Sequence, residues 1–174
     1  MPPPLPALPV LPDGRLLGVT GAPGAGKSTL AAALLAAGRV TATVPMDGFH
    51  LADVELARRG LLDRKGAPET FDAAGFDSML GRVARGEQDV VAPMFDRALE
   101  QPIAGAIAVP TGGLVVTEGN YLLLDEPRWR AVRAHLDAVW HVHVDPALIE
   151  VEKGADDDDA ADDDAAQAAA KAAA

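Results

Sequence analysis

Residues 15–37 read RLLGVTGAPGAGKSTLAAALLAA, and three kinds of local structure follow one another in it. Arg15–Thr20 is a short apolar run of the kind that forms a buried strand. Lys27–Ala37 has the composition of a helix, and Gly38 stops it. Between them, Gly21 to Ser28 fits the pattern G-x-x-x-x-G-K-[ST] in full. Glycines at 21, 24 and 26 let the backbone curl so that successive amides point inward at anionic oxygens. The helix beginning near Lys27 adds its positive end. The cradle Gly21, Ala22, Pro23, Gly24, Ala25, Gly26, Lys27, Ser28 and Thr29 is therefore expected to hold the phosphates of a nucleoside triphosphate. In it Lys27 reaches the β- and γ-phosphates and the Ser28 hydroxyl is a Mg²⁺ ligand.

Outward from this stretch the chain alternates short apolar runs with helical ones. Val40–Pro45 is β-branched and predicts a second strand. Glu55–Arg59 and Asp72–Arg85 have helical spacing, with Asp72 in the N-cap position. Leu114–Glu118 (LVVTE) predicts a strand and Pro127–Leu136 a helix, Pro127 lying in its first turn. Val139–Val144 predicts another strand. This order implies an α/β fold in three layers, a parallel sheet flanked by helices. In such sheets ligands bind beyond the carboxyl ends of the strands, and the polar residues of interest fall there.

The second strand runs into Pro45-Met46-Asp47-Gly48-Phe49-His50. Asp47 is the candidate catalytic base, placed to accept the proton of an attacking hydroxyl. Asp47-Gly48 also fits a simple turn. His50 has two readings, a contact to substrate or a cap on its own loop. Glu118 ends the LVVTE strand, where a carboxylate suits Mg²⁺, and Gly119-Asn120 makes the turn that brings the chain to the ligand. His141 and His143, two apart, share one strand face and are read as core-strand residues, since a metal pair needs more ligands.

The chain of 174 residues carries a net charge of −11, of which residues 151–174 hold −6. The body is thus only mildly acidic. Its charge argues against a nucleic-acid partner, and no apolar run is long enough to span a membrane. With no cysteine there is neither a disulfide framework nor a thiolate site. Six of the fourteen prolines fall in the first twelve residues, which predicts an extended lead-in over 1–13 and a poor signal peptide. Residues 14–150 form the expected core. Residues 151–174, mostly Ala and Asp, read as a solvated low-complexity tail. A cytoplasmic protein fits these features, and the oligomeric state stays open.

Several stretches together, GAPGAGKST at 21–29, MDGFHL at 46–51, RKGAPETFD at 64–72, PMFDR at 93–97 and TEGNYLLL at 117–124, resemble the phosphoribulokinase, uridine kinase and bacterial pantothenate kinase group of P-loop kinases. The resemblance covers about Leu16 to Pro146, and its branch is similar to nucleoside/nucleotide kinase-like or fructose-transport-type kinases. It implies the P-loop NTPase fold, ATP and Mg²⁺ as cofactors, and phosphorylation of a hydroxyl on a small metabolite such as a nucleoside, a sugar or a pantothenate-like compound. Asp47 matches the family's catalytic aspartate, Lys27 and Ser28 its phosphate and Mg²⁺ contacts, and Glu118 the acid after the central strand. Phe95, Asp96 and Arg97 match a segment lining the acceptor pocket. Arg64 and Lys65 fall in the loop before it, and Asn120 is counted among the substrate contacts. From the residues alone, Arg64 and Lys65 read as a solvated basic pair and Arg97 as a surface charge. After His141-Val142-His143-Val144-Asp145-Pro146 the family pattern continues with a helix, an arginine-bearing lid and a segment near the adenine. Here an Asp/Ala sequence follows Glu150, and no arginine follows Arg133. The expectation is an altered C-terminal part. The alternative to a kinase is therefore a nucleotide-binding or regulatory module without efficient phosphoryl transfer. A GTPase is disfavoured by the lack of an N-K-x-D guanine reader.

Overall fold

A computed structural model describes residues 10–143 of the chain. Residues 1–9 of the lead-in expected over 1–13, the strand end at Val144 and the Asp/Ala tail lie outside the described residues.

Four strands, β1 (Leu16–Gly21), β2 (Ala42–Pro45), β5 (Val115–Glu118) and β6 (Ala138–Val142), form one parallel sheet in the order β2-β5-β1-β6. Registers such as Leu16 against Val115 and Leu17 against Ala138 keep the carboxyl ends level. Strand side chains alternate between two cores, as the period of two requires. Leu17, Val19 and Val116 face helix α1 (Lys27–Ala36), packing with Ala31 and Leu34. Leu16, Val44 and Val115 face the other way, toward α3 (Ala73–Ala84) and α4 (Pro127–Arg133), meeting Phe76, Leu80, Trp129 and Val132. The expected three layers are present.

Helix ends follow the local chemistry. Asp72 caps α3 by accepting from the Gly75 amide at 2.9 Å. Gly60 closes α2 (Asp53–Arg59) in the left-handed conformation. Asp137 holds the entry to β1, accepting from the amides of Arg15 at 2.6 Å and Leu16 at 2.8 Å.

Two features differ from the sequence expectations. The first is an antiparallel hairpin of β3 (Val90–Asp96) and β4 (Gln101–Val109), joined by a turn at 97–100. Its pattern was hidden by Pro93, Pro102 and Gly105 inside the strands, residues that ordinarily argue against one. They are accommodated by an irregularity, where the register jumps from Ala92–Ile107 to Met94–Ile103. The second concerns β6, an edge strand that pairs only with β1 among the described residues. His141 and His143 are exposed there and do not enter the core. No helix among the described residues is long and apolar enough to cross a membrane.

Candidate active site

The β1–α1 loop does what its glycines require. Gly26 has a φ of 82° and precedes the helix as its N-cap, a left-handed conformation that side-chain-bearing residues avoid. Lys27 is 8% exposed, and its Nζ reaches back to the Ala22 carbonyl at 2.8 Å. Ser28, one residue on, donates from Oγ to Glu118 Oε1 at 3.1 Å. Strand β5 lies between β1 and β2, so Glu118 sits between the loop and Asp47.

Burial and charge work against one another at this centre. Burial pushes the Lys27 ammonium below its ordinary pKa, while Glu118 and Asp47 pull it up. Glu118, also 8% exposed, is raised above the usual carboxylate range, first by burial. The hydrogen bond from Ser28 opposes that rise, the charge of Asp47 adds to it, and Lys27 and Arg97 oppose it.

Asp47 lies in a single 3₁₀ turn, Met46–Phe49, that follows β2. Gly48 lets this turn press on the hairpin, since a Cβ there would lie 2.3 Å from the Pro93 carbonyl oxygen. The backbone carbonyl of Asp47 accepts from the His50 amide at 3.1 Å and lies 2.8 Å from His50 Nδ1. The His50 ring also packs on Phe71 and Phe95, with centroids 4.0 and 4.8 Å away. His50 thus caps its loop and faces a cavity at the same time.

Two neighbouring cavities meet at this point. One, of about 300 Å³, is bounded by Pro23, Gly24, Lys27 and Ser28 on one side, by Asp47 and Arg97 on another, and by Glu118–Asn120. The other, of about 290 Å³, is bounded by Asp47, His50, Lys65, Gly66, Phe95, Arg97 and Glu100. A third hollow, of about 370 Å³, runs from Gly24 to Thr29 along the start of α1 and again ends at Arg97.

The expected site residues divide in this geometry. Lys27, Ser28, Glu118, Asp47, His50, Lys65, Phe95 and Arg97 are brought together around the two cavities. Asn120 lies on the phosphate-loop side, also lining a hollow with Gly21, Ala22 and His141, and is not in the His50–Lys65 cavity. Arg64 is not brought in. Its side chain is 58% exposed and pairs with Glu69 at 2.6 Å. Lys65 turns the other way, bonding Asp53 Oδ1 at 2.8 Å and the Glu100 carbonyl at 2.5 Å, with its ammonium 5.6 Å from the Phe95 ring centre. Asp96 fixes the hairpin turn by accepting from the amides of Ala98 and Leu99, both at 2.9 Å. Glu100 and Asp53 belong to this wall without having been singled out in the sequence, whereas Gly66 lies within the quoted RKGAPETFD stretch. For Asp53 and Glu100 the only signal was proximity, of Asp53 to MDGFHL and of Glu100 to PMFDR.

A Mg²⁺ fits the donor set at Ser28 and Glu118, a hydroxyl and a carboxylate facing one cavity. Among the described residues no three His, Asp or Glu side chains form a self-sufficient metal cage. That suits an ion that keeps waters and substrate phosphates as its other ligands.

No family model matches the chain. A "Putative uridine kinase" of Schizosaccharomyces pombe is 38% identical over 126 residues, which is 66% of this chain and 54% of the relative. A "Pantothenate kinase" of Limosilactobacillus reuteri is 31% identical over 147 residues, 78% of this chain and 47% of the relative. The chain thus spans about half the length of these curated relatives. A crystal structure described as a "putative fructose transport system kinase" from Silicibacter sp. TM1040 superposes with a TM-score of 0.69 and is 46% identical, covering 83% of this chain and 72% of that one. The chain belongs to the P-loop kinases of the phosphoribulokinase, uridine kinase and pantothenate kinase group. In this P-loop kinase the shared fold accounts for the parallel sheet and for the loop between β1 and α1.

Proposed function

We propose that this chain, with its core over 14–150, is an ATP-dependent kinase that phosphorylates a hydroxyl of a small metabolite. The observation carrying this reading is that Asp47 lines both cavities, one built on the phosphate loop and one on a cationic and aromatic wall.

In this reading the backbone amides of residues 24–28 and the Lys27 ammonium hold the triphosphate of ATP, with the helix α1 terminus adding its partial positive charge. Ser28 and Glu118 would hold Mg²⁺, which would supply neutralisation of the triphosphate's negative charge. The acceptor lies in the cavity bounded by His50, Lys65 and Phe95, which favours a small polar compound with an anionic or hydrogen-bonding group. The acceptor oxygen forms a bond to the γ-phosphorus as the bond to the bridging oxygen breaks. The electron pair of that broken bond stays on ADP, and the hydroxyl proton passes to the Asp47 carboxylate. Products are a phosphomonoester, ADP and a proton released from Asp47. Reliance on cellular ATP and a small metabolite fits the cytoplasm.

The test is a panel of nucleosides, sugars and pantothenate offered with Mg·ATP, scored by ADP release. One acceptor class is expected to turn over, and Asp47→Asn is expected to reduce that turnover by about 10²–10⁴-fold with Mg·ATP binding retained. Full activity in Asp47→Asn removes the assigned base. Nucleotide binding with no acceptor-dependent ADP release makes the chain a binding module.

A further inference from the structure

Asp47 and Arg97 are the two residues shared by the phosphate-loop cavity and the acceptor cavity. Every other cation near the site belongs to one side. Lys27 lines only the phosphate side, tied to the Ala22 carbonyl. Lys65 lines only the acceptor side, tied to Asp53 and the Glu100 carbonyl. Arg97 has no ion-pair partner among the described residues, although it is close enough to influence Glu118. It also closes the hollow along Gly24–Thr29.

Its placement is not that of a loose surface charge. Arg97 opens the turn between β3 and β4, and Asp96 beside it holds that turn through two amide bonds. The hairpin is in turn set against the Asp47 turn by the close approach of Gly48 to Pro93. The guanidinium is therefore carried by a braced segment. It has five donors in a planar fork that suits the equatorial oxygens of a phosphoryl group.

We propose that Arg97 is a catalytic residue: its guanidinium binds the phosphoryl group in transit between the two cavities, in preference to the nucleotide or acceptor at rest. The inference rests on the kinase reading above and assigns within it the charge-offsetting group. As the γ-phosphorus leaves the bridging oxygen of ADP and bonds to the acceptor oxygen, charge spreads over its three remaining oxygens. Arg97 lines both of the cavities between which that group passes. No proton or electron moves to or from it.

The test uses Mg·ADP, with and without aluminium fluoride as a mimic of the phosphoryl group in flight. Fluorescent ADP titrations are made on the full chain, Arg97→Ala, Arg97→Lys and Lys27→Ala. Aluminium fluoride is expected to tighten ADP binding to the unaltered chain by roughly 10²-fold. Arg97→Ala is expected to keep ADP affinity within about twofold and lose most of the fluoride gain, with Arg97→Lys between the two. Equal weakening of ADP with and without fluoride makes Arg97 an ordinary nucleotide contact and overturns the proposal. An unchanged fluoride gain in Arg97→Ala, or no gain in the unaltered chain, also overturns it. Failure of the unaltered chain to bind ADP, or binding indifferent to Lys27→Ala, instead removes the nucleotide-site reading beneath it. Arg97 is exposed, and matching circular dichroism of the two variants checks that the fold is unaltered.

Discussion

On the phosphate side, Lys27, Ser28 and Glu118 are carried by adjacent strands and the first turn of α1, and Lys27 and Glu118 are nearly buried. On the acceptor side, His50 and Lys65 come from two connections and Phe95 and Arg97 from the hairpin, and none of the four is fully buried. The first wall is rigid because a parallel sheet fixes it. The second is held by a few specific ties: His50 on the Asp47 carbonyl, Lys65 on Asp53, Asp96 on its turn, and Gly48 against Pro93. A site that binds one constant partner and one variable partner gains from this division. In the proposed reading the triphosphate would meet a fixed cradle, whereas the acceptor wall could change its side chains without disturbing the sheet.

If the walls are this independent, each should fail alone. The largest effect is expected from Lys27→Ala. Removing a buried cation from its phosphate partner costs about 10²-fold or more in Mg·ATP affinity, measured by calorimetry. Binding of acceptor analogues is expected to survive. Parallel loss of both would show one cooperative site and not two walls.

Gly48→Ala strikes the acceptor wall. The added Cβ would lie 2.3 Å from the Pro93 carbonyl oxygen and 2.7 Å from its carbonyl carbon. Backbone cannot swing aside as a side chain can, so the hairpin must shift from the Asp47 turn. Overpacking of this kind costs about 1–3 kcal/mol, a fall in Tm of roughly 5 °C for a chain of this size. Acceptor phosphorylation should fall with it, while Mg·ATP binding at 25 °C persists. A variant as stable and as active as the parent would mean that the hairpin is not anchored at Pro93.

The same division explains what could be read from the amino-acid order. Apart from Glu118–Asn120 at the end of β5, the phosphate wall is written in consecutive residues, 15–37, and each piece has a local physical cause. The Asp72 cap and the LVVTE strand were legible for the same reason. Spatial order was not: β5 enters between β1 and β2, and nothing in either segment announces it. The hairpin was concealed because Pro93, Pro102 and Gly105 break the alternation by which strands are recognised. Arg64 and Lys65 show the limit at single-residue scale. Adjacent and both basic, they end a 3₁₀ turn from which one side chain pairs with Glu69 and the other with Asp53. Residue type gave no means to separate them.

Asp53→Asn sharpens the comparison with the smallest change. The Lys65–Asp53 pair has side chains 23% and 46% exposed, so screening by water leaves it about 0–1 kcal/mol in stability. Thermal unfolding is expected to move by only a degree or two for that reason. Function should respond more. Asparagine keeps the shape and can still accept from the ammonium, but it no longer neutralises the charge. Lys65 remains anchored by the Glu100 carbonyl and by the face of Phe95, so its position holds while its field toward the cavity rises. An anionic acceptor should then bind more tightly and a neutral one should not, with the KM for ATP unaltered, because Lys65 does not line the phosphate cavity. Steady-state KM values for both substrates on Asp53→Asn check this. A change in the ATP value equal to that for the acceptor would mean that charge on one wall is felt across Asp47, and that the two walls are coupled through that carboxylate.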